Sequence, residues 1–176
     1  AALRATDEAG AALARLAEAE QAAARAGLAG ELSRIHHMRG NILFPQGDLA
    51  GCLRAHRAAL DWARQAGSPG LELQALGGLG DAHYAQGRMR TAHDHFSRCV
   101  DGARARRLDR EAAANLPMVA VTRLYLGDPA GALADAGEAA RLAAGVRHPR
   151  AEMLAALVAH DVLLELDRPG EAVEAL

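Results

Sequence analysis

The sequence predicts an all-α fold, a right-handed superhelical solenoid of antiparallel helix pairs that repeats about every 40 residues. Composition and internal self-similarity carry this prediction. Hydrophobic residues make up 51% of the 176 residues, but aromatic residues only 3%, and much of the apolar share is alanine. Alanine is the best helix former and lets helices approach closely, whereas residues that favour strands are scarce. The composition therefore disfavours a β-sandwich or barrel.

A shift by one repeat length, about 40 residues, aligns the chain with itself without a gap. Gly40 falls on Gly80, and Gln46-Gly47 falls on Gln86-Gly87. A small residue recurs at one place in each step, as Cys52, Ala92, Ala132 and Ala172. Such a spacing indicates stacked repeats, because a single helix pair cannot bury its apolar face alone.

Each repeat reads as two helices, because the segments between turn residues are longer than strands and carry apolar residues three and four positions apart. Glycine and proline lie between these segments, where they suit a left-handed helix end or a first helical turn. Short turns force consecutive helices to run antiparallel. We predict one repeat domain over residues 1–176, with a second helix of a partial repeat over 6–27, full repeats over 31–66, 70–106 and 110–145, and a partial repeat over 150–176. The predicted helices of the full repeats span 31–46, 49–66, 70–86, 89–106, 110–126 and 129–145.

Charge and residue types exclude several functions. The net charge is −2 and the pI is near 6.5, which argues against a basic nucleic-acid-binding module. All 20 basic residues are arginine, so no lysine is present for Schiff-base chemistry or a P-loop. No stretch approaches the roughly 20 apolar residues of a membrane helix, and no signal peptide is visible. We therefore expect a cytoplasmic protein that binds neither nucleic acid nor membrane, and the start at Ala1 without methionine suggests a piece of a larger chain.

Candidate catalytic and metal-binding residues lack the spacing that their chemistry needs. Adjacent His36 and His37 point about 100° apart on a helix, and His93 and His95 diverge further. The two cysteines have no CxxC partner, and no serine lies in a GxSxG elbow. Ser97 reads as a surface residue. The sequence thus predicts no metal site, no cofactor and no catalytic residue.

One segment carries a recognisable family pattern. Residues 76–84 read LGGLGDAHY, and Ala92, Phe96 and Cys99 follow at the small, aromatic and small positions of the next helix. This pattern resembles the tetratricopeptide repeat (TPR). The family resemblance implies a scaffold that binds proteins through stacked helix pairs.

The repeat length and two longer segments narrow the resemblance. The period exceeds the usual value of about 34 residues, as in the long repeats of bacterial signalling ATPases and MalT-like transcription regulators. The segments GGLGDAHYAQGRMRTAHDHFSRCV and AANLPMVAVTRLYLGD resemble the repeat region behind the AAA-type ATPase module of some class III adenylate/guanylate cyclases. This narrower resemblance implies a sensory or scaffolding region of a larger bacterial signalling protein.

In such arrays the first helix of each pair lines the concave inner face, which suits an extended or helical peptide. Phe44 and Tyr84 lie one period apart and are candidate aromatic anchors. The alternative, that these two residues only seal the junction between repeats, stays open. The family pattern places the following residues on the inner face: Arg34, His37, Asn41, Phe44, Gln74, Asp81, Tyr84, Val121, Tyr125, Leu157 and Asp161.

The expected function is therefore a protein-protein interaction module, which binds a peptide, a partner protein or another domain of the same parent chain. Two alternatives stay open. One is self-association through the open ends of the stack, which would give a homodimer. The other is an all-α enzyme with an unrecognised site.

Overall fold

Nine α-helices, one short 3-10 helix and no strand make up the part of the chain that the structure describes. The computed structural model covers the backbone of residues 2–175 and the side chains of residues 8–175. Within these residues, no helix has both the length and the apolar character needed to cross a membrane. The helices are α1 (Ala2–Arg25), α2 (Ala29–Leu43), the 3-10 helix (Phe44–Gln46), α3 (Leu49–Gln65), α4 (Pro69–Ala85), α5 (Met89–Ala105), α6 (Asp109–Tyr125), α7 (Pro129–Gly145), α8 (Pro149–Glu165) and α9 (Pro169–Glu174).

Helices α2 to α9 alternate between two series, and within each series the start of one helix lies one period after the start of the one before. The even-numbered helices begin at residues 29, 69, 109 and 149, and α3, α5, α7 and α9 begin at residues 49, 89, 129 and 169. The all-α fold with a period of about 40 residues is therefore confirmed. Helix ends lie within two residues of the predicted positions, except that α1 begins at Ala2 and that the 3-10 helix completes the helix predicted over 31–46. Residue 176, the end of the predicted partial repeat, lies outside the described residues.

Each helix from α1 to α8 is followed by a turn that contains one left-handed residue. The positive φ angles recur at equal intervals along the chain, at Gly27, Gly47, Gly67, Gly87, Arg107, Gly127, Arg147 and Asp167. After α3, the backbone N–H of Ser68 donates to the carbonyl of Ala63 and that of Gly67 donates to the carbonyl of Arg64, both over 3.0 Å. These two bonds form a Schellman motif, which satisfies the last carbonyl groups of the helix. The chain can therefore reverse within a single short turn.

The chain divides into two compact units, Ala1–Gln86 (unit 1) and Gly87–Leu176 (unit 2). In unit 1, α2 packs against α1, α3 and α4. The hydroxyl of Ser33 donates to the carbonyl of Ala59 over 2.8 Å inside the core and ties α2 to α3. Burial of aliphatic side chains joins α1 to α2 through a cluster of Leu16, Ala23, Leu32 and Ile35.

The imidazole of His56 fills the space between two glycines in unit 1. His56 lies on α3 and is 1% exposed. A methyl group added to Gly40 of α2 would lie 2.6 Å from Cε1 of His56, and one added to Gly78 of α4 would lie 2.6 Å from its Nε2. Both distances are too short for real contacts, so the two glycines are what allows an aromatic ring at this place.

In unit 2, α6 packs against α5, α7 and α8, and α9 packs against α8. Helix α6 is continuous through Pro117, which is buried. The core between these helices contains the ring of Phe96 and the side chain of Leu116 together with many small aliphatic side chains. One of its clusters contains Ala120, Ala132, Ala136, Val158 and Val162.

We predict that Gly78→Ala destabilises the protein by about 1–3 kcal/mol, because the added methyl group overlaps the ring of His56. The matched control is Gly137→Ala, in the interior of α7, where an added methyl group meets nothing within 4 Å. This control should stabilise by about 0.5–1 kcal/mol, as alanine does in an open helical position. Denaturant unfolding of both variants measures the two effects.

The cause of the destabilisation is tested by removing the ring. The overlap is absent from the double variant Gly78→Ala/His56→Ala. Its loss of unfolding free energy should therefore be smaller than the sum of the two single-variant losses by about 1 kcal/mol or more. Simple additivity of the two single variants would contradict the proposed contact.

Candidate functional site

The predicted inner-face residues of unit 1 lie on the neighbouring helices α2 and α4, except Phe44, which begins the 3-10 helix directly after α2. Helices α2 and α4 are in contact and occupy equivalent places in successive repeats, so residues one period apart lie side by side. Packed helices are about 8–10 Å apart axis to axis, which is the expected lateral spacing of such residues. The side-by-side pairs are Arg34 and Gln74, Asn41 and Asp81, and Phe44 and Tyr84.

These three pairs and His37 make up one partly polar surface, here called the α2–α4 face, which consists of Arg34, His37, Asn41, Phe44, Gln74, Asp81 and Tyr84. Phe44 is 38% exposed, and Tyr84 is half-buried. The guanidinium of Arg34 pairs with the carboxylate of Glu31 on the same helix. The face therefore offers two aromatic rings at one end and hydrogen-bonding groups along the rest.

His37 joins this face to the core beneath it. The amide of Asn41 donates to Nε2 of His37 over 3.1 Å, which places the proton of a neutral ring on Nδ1. The ring of His37 lies 5.2 Å from that of His56, centroid to centroid. Burial lowers the pKa of His37, so the ring contributes no charge to the face near neutral pH.

Burial has a larger effect on His56. It lowers the pKa of His56 from 6.5 to about 4, with a smaller contribution from His37. The Nδ1 atoms of both rings are buried and have no hydrogen-bond partner in the structure. A positive charge in this pocket would lose its hydration without gaining an acceptor, which explains the direction of the shift.

A three-residue polar network links α1 to α2, and no sequence pattern predicted it. Glu20 of α1 accepts a hydrogen bond from the guanidinium of Arg39 and lies 3.2 Å from Nε2 of His36. The bond from Arg39 is the main reason why the pKa of Glu20 is lowered. Only the packing of the two helices brings Glu20 to His36 and Arg39, because Glu20 is far from both along the chain.

The predicted inner-face residues of unit 2 are more dispersed. Tyr125 is 62% exposed at the end of α6, and Leu157 is 43% exposed on α8. Asp161 is also exposed on α8, and Val121 is partly buried. Tyr125 lies one position beyond the place equivalent to Tyr84, so it points about 100° away from the direction that Tyr84 takes in its repeat. Leu124 takes that place instead.

A partly buried hydrogen-bond chain in unit 2 was not predicted, because Ser97 was expected at the surface. Ser97 is half-buried, and its hydroxyl lies 3.4 Å from Nε2 of His93. Nδ1 of His93 lies 3.0 Å from the hydroxyl of Thr122, which donates to the carbonyl of Met118 over 2.7 Å. The hydrogen bonds are therefore donated from Ser97 to His93, from His93 to Thr122, and from Thr122 to Met118. A hydroxyl stands where a serine triad needs a carboxylate, so this chain cannot stabilise an imidazolium in that way.

The thiol and histidine chemistry also favours a structural role. Burial raises the pKa of the Cys52 thiol to about 11, which keeps it protonated and unreactive near neutral pH. Both cysteines are buried, and neither forms a disulfide. Over the residues with described side chains, no group of three or more histidine, cysteine or acidic side chains is arranged to hold a metal ion.

Comparison with known families supports the TPR pattern. Residues 31–105 match a family model described as tetratricopeptide repeat. This segment contains every residue of the α2–α4 face. The match does not bear on the narrower resemblance to MalT-like regulators and ATPase-linked cyclases, and no curated protein matches the chain.

Solved structures share the fold at low sequence identity. BtubC (BKLC) from P. vanneervenii has a TM-score of 0.79 at 16% identity, over 97% of this chain and 71% of that chain. The apo form of RapI has a TM-score of 0.76 at 9% identity, over 83% of this chain and 53% of that chain. A Rap protein complexed with Competence and Sporulation Factor has a TM-score of 0.65 at 15% identity, over 92% of this chain and 41% of that chain. The fold is thus a TPR-like helical solenoid, and this chain spans about half the length of RapI.

We predict that acid destabilises the protein through His56. The ring is neutral in the folded protein down to about pH 4, but it takes up a proton near pH 6.5 once unfolded. The unfolded state therefore binds more protons between these pH values, so the free energy of unfolding falls as the pH falls through this window. The loss attributable to His56 is about 3 kcal/mol when complete.

Urea unfolding at a series of pH values between 7 and 4 measures this loss, with the pH values set by the two pKa values of His56. In His56→Gln, which cannot titrate, the pH dependence should be shallower. An unchanged slope in that variant would assign the acid sensitivity to other groups.

Proposed function

We propose that this protein is an interaction module that binds a peptide or a segment of a neighbouring domain on the α2–α4 face. The observation that carries the proposal is the pair Phe44 and Tyr84, which stand one period apart, just after α2 and in the last turn of α4, and leave ring surface accessible. Aromatic side chains supply much of the energy at protein interfaces. Arg34, Asn41 and Asp81 supply polar groups that can fix the direction of a bound main chain.

Two comparisons support this proposal. The segment that matches the tetratricopeptide repeat includes the whole face. One structure of similar fold is a Rap protein complexed with Competence and Sporulation Factor. A protein of this fold therefore binds a partner in that structure. We further propose that the chain belongs to a larger bacterial signalling or regulatory protein, in which the partner can be another domain of the same parent chain.

The chemistry of the described side chains favours binding over catalysis. An enzyme needs an activated nucleophile or a general acid or base near its working pH. The thiol of Cys52 is held protonated, the ring of His56 is held neutral in the core, and Ser97 belongs to a hydrogen-bond chain without a carboxylate. The environments of these groups therefore suit packing better than chemistry, which agrees with a binding role for the exposed face of unit 1.

Self-association is a second candidate, because one surface of unit 2 is unusually apolar. Met153, Leu157 and Leu164 of α8 are 56%, 43% and 50% exposed, and Val173 of α9 is 74% exposed. Leu157 lies four positions after Met153 and seven before Leu164, so these three side chains lie along one side of α8. Exposed apolar side chains arranged in this way suit an interface. Sedimentation over a concentration series should show reversible dimers, and Leu157→Asp with Leu164→Asp should abolish them. A strict monomer at all concentrations would remove this candidate.

The peptide-binding proposal predicts that Phe44→Ala/Tyr84→Ala weakens binding of selected peptides about tenfold or more, because each lost aromatic anchor costs about 1 kcal/mol or more. The ligands are peptides about 12 residues long, a length suited to a peptide-binding groove. They are selected on the unmodified protein from a displayed library of random sequences. Fluorescence anisotropy then measures the affinity of each selected peptide for the variants.

Leu28→Ala is the matched control, because Leu28 is 50% exposed in the same unit but lies outside the face. This variant should bind the selected peptides normally. Equal binding by the double variant, or a library that yields no binder, would contradict the proposal.

A further inference from the structure

Two turns of unit 2 carry the same pair of arginines. Arg107 and Arg110 follow α5, and Arg147 and Arg150 follow α7, so the second pair lies one period after the first. All four side chains are exposed. The equivalent places in the turns of unit 1 are all glycine: Gly27, Gly30, Gly67 and Gly70.

The topology brings these four residues to one edge of unit 2, here called the arginine edge. Helix α6 contacts α5, α7 and α8, and consecutive helices run antiparallel. The α5–α6 and α7–α8 turns therefore lie at the same ends of their helices, next to each other. Since neighbouring helices are about 8–10 Å apart, Arg107 and Arg147 stand side by side at about that spacing.

These positions are poor ones for arginine if stability alone is considered. Arg107 and Arg147 have φ angles of 56° and 51°, a conformation in which glycine is favoured over residues with a side chain. Arg110 and Arg150 lie in the first turns of α6 and α8, where the helix dipole is positive and disfavours a cation. The repetition of both unfavourable choices at one edge points to a role in recognition.

None of the four guanidinium groups is occupied by a carboxylate in the described part of the chain. Elsewhere in unit 2, Arg104 pairs with Glu138 over 2.6 Å, and Arg123 pairs with Asp135 over 3.1 Å. The arginines of the edge therefore keep their hydrogen-bond donors available, whereas Arg104 and Arg123 of the same unit already use theirs in ion pairs.

We propose that the arginine edge binds an acidic segment of a partner protein, through carboxylates that pair with Arg107, Arg110, Arg147 and Arg150. Guanidinium groups bind carboxylates with two parallel hydrogen bonds. An extended chain advances about 3.3 Å per residue, so acidic residues three positions apart match the spacing of the two turns.

The surrounding charges favour a polypeptide over a nucleic acid or a lipid surface. Asp109 lies between Arg107 and Arg110, Glu111 directly follows Arg110, and Glu152 lies two positions after Arg150, while the whole chain has a net charge of −2. A continuous polyanion gains from an uninterrupted basic surface, which this edge does not offer. Discrete cationic points with carboxylates close to them suit a partner whose charges are also discrete.

The test uses a fluorescein-labelled peptide of about 12 residues with glutamate at every third position and alanine or serine between, the spacing that an extended chain requires. Anisotropy at low ionic strength should show saturable binding that weakens as salt screens the charges. A permuted peptide with its glutamates in one block should bind less tightly.

Two variants separate binding from folding. Arg107→Gly/Arg147→Gly should have an equal or higher melting temperature, because glycine accepts the left-handed conformation, and should still bind less tightly. Adding Arg110→Gln and Arg150→Gln should bring the total loss of affinity to about tenfold, the sum expected of four exposed ion pairs.

The matched control removes the same number of charges from exposed arginines elsewhere: Arg54→Gln, Arg57→Gln, Arg88→Gln and Arg90→Gln. It should bind the spaced peptide normally. An equal loss in this control, no binding at low salt, or tighter binding of a single-stranded oligonucleotide at the same edge would overturn the proposal. Because Phe44 and Tyr84 take no part, Phe44→Ala/Tyr84→Ala should leave this binding unchanged, which keeps the outcome independent of the α2–α4 face.

Discussion

The regular placement of one left-handed residue at the end of each helix is the constraint from which the rest of the structure follows. These residues end successive helices, from Gly27 to Asp167, and each time the next helix begins at the second position after them. Because every reversal takes the same number of residues, helices two steps apart become equivalent. This equivalence sets Phe44 beside Tyr84 in unit 1 and Arg107 beside Arg147 in unit 2. Both proposed binding surfaces are consequences of the turn spacing.

The interior of the repeats adapts by exchanging side-chain size between equivalent positions. In unit 1, the large ring of His56 faces Gly40 and Gly78. The equivalent residues two periods later are Ala136, Ala120 and Val158, which share one core cluster of unit 2. Unit 1 has a large central residue, His56, with two small neighbours, whereas unit 2 has a small central residue, Ala136, with larger neighbours. Helices can pack closely in both cases. This exchange also explains why His56 is a packing residue, since its ring replaces aliphatic volume in the core.

The sequence was sufficient for the helices but not for the contacts between them. The turn residues and the repeat length define the helix ends closely, because glycine and proline report the local backbone directly. The left-handed conformation of Arg107 could not be recognised in that way, since arginine gives no local signal for it. The contact of His56 with Gly78, the bridge from Glu20 to Arg39, and the chain through Ser97 and His93 depend on the packing of separate helices. The family pattern assigns Tyr125 to the inner face, although Tyr125 lies one position beyond the place equivalent to Tyr84, and this assignment stays a prediction.

The two proposed surfaces recognise partners by different physics. On the α2–α4 face, Arg34 is paired with Glu31 and burial keeps His37 neutral, so recognition rests on aromatic contact area and directed hydrogen bonds. Such interactions depend weakly on ionic strength. On the arginine edge, the guanidinium groups are exposed and unpaired within the described residues, and their attraction for carboxylates is screened by salt over about 10 Å at 0.1 M. Ionic strength therefore distinguishes the two surfaces within one protein: a partner held on the face stays bound as salt increases, whereas a partner held at the edge is released.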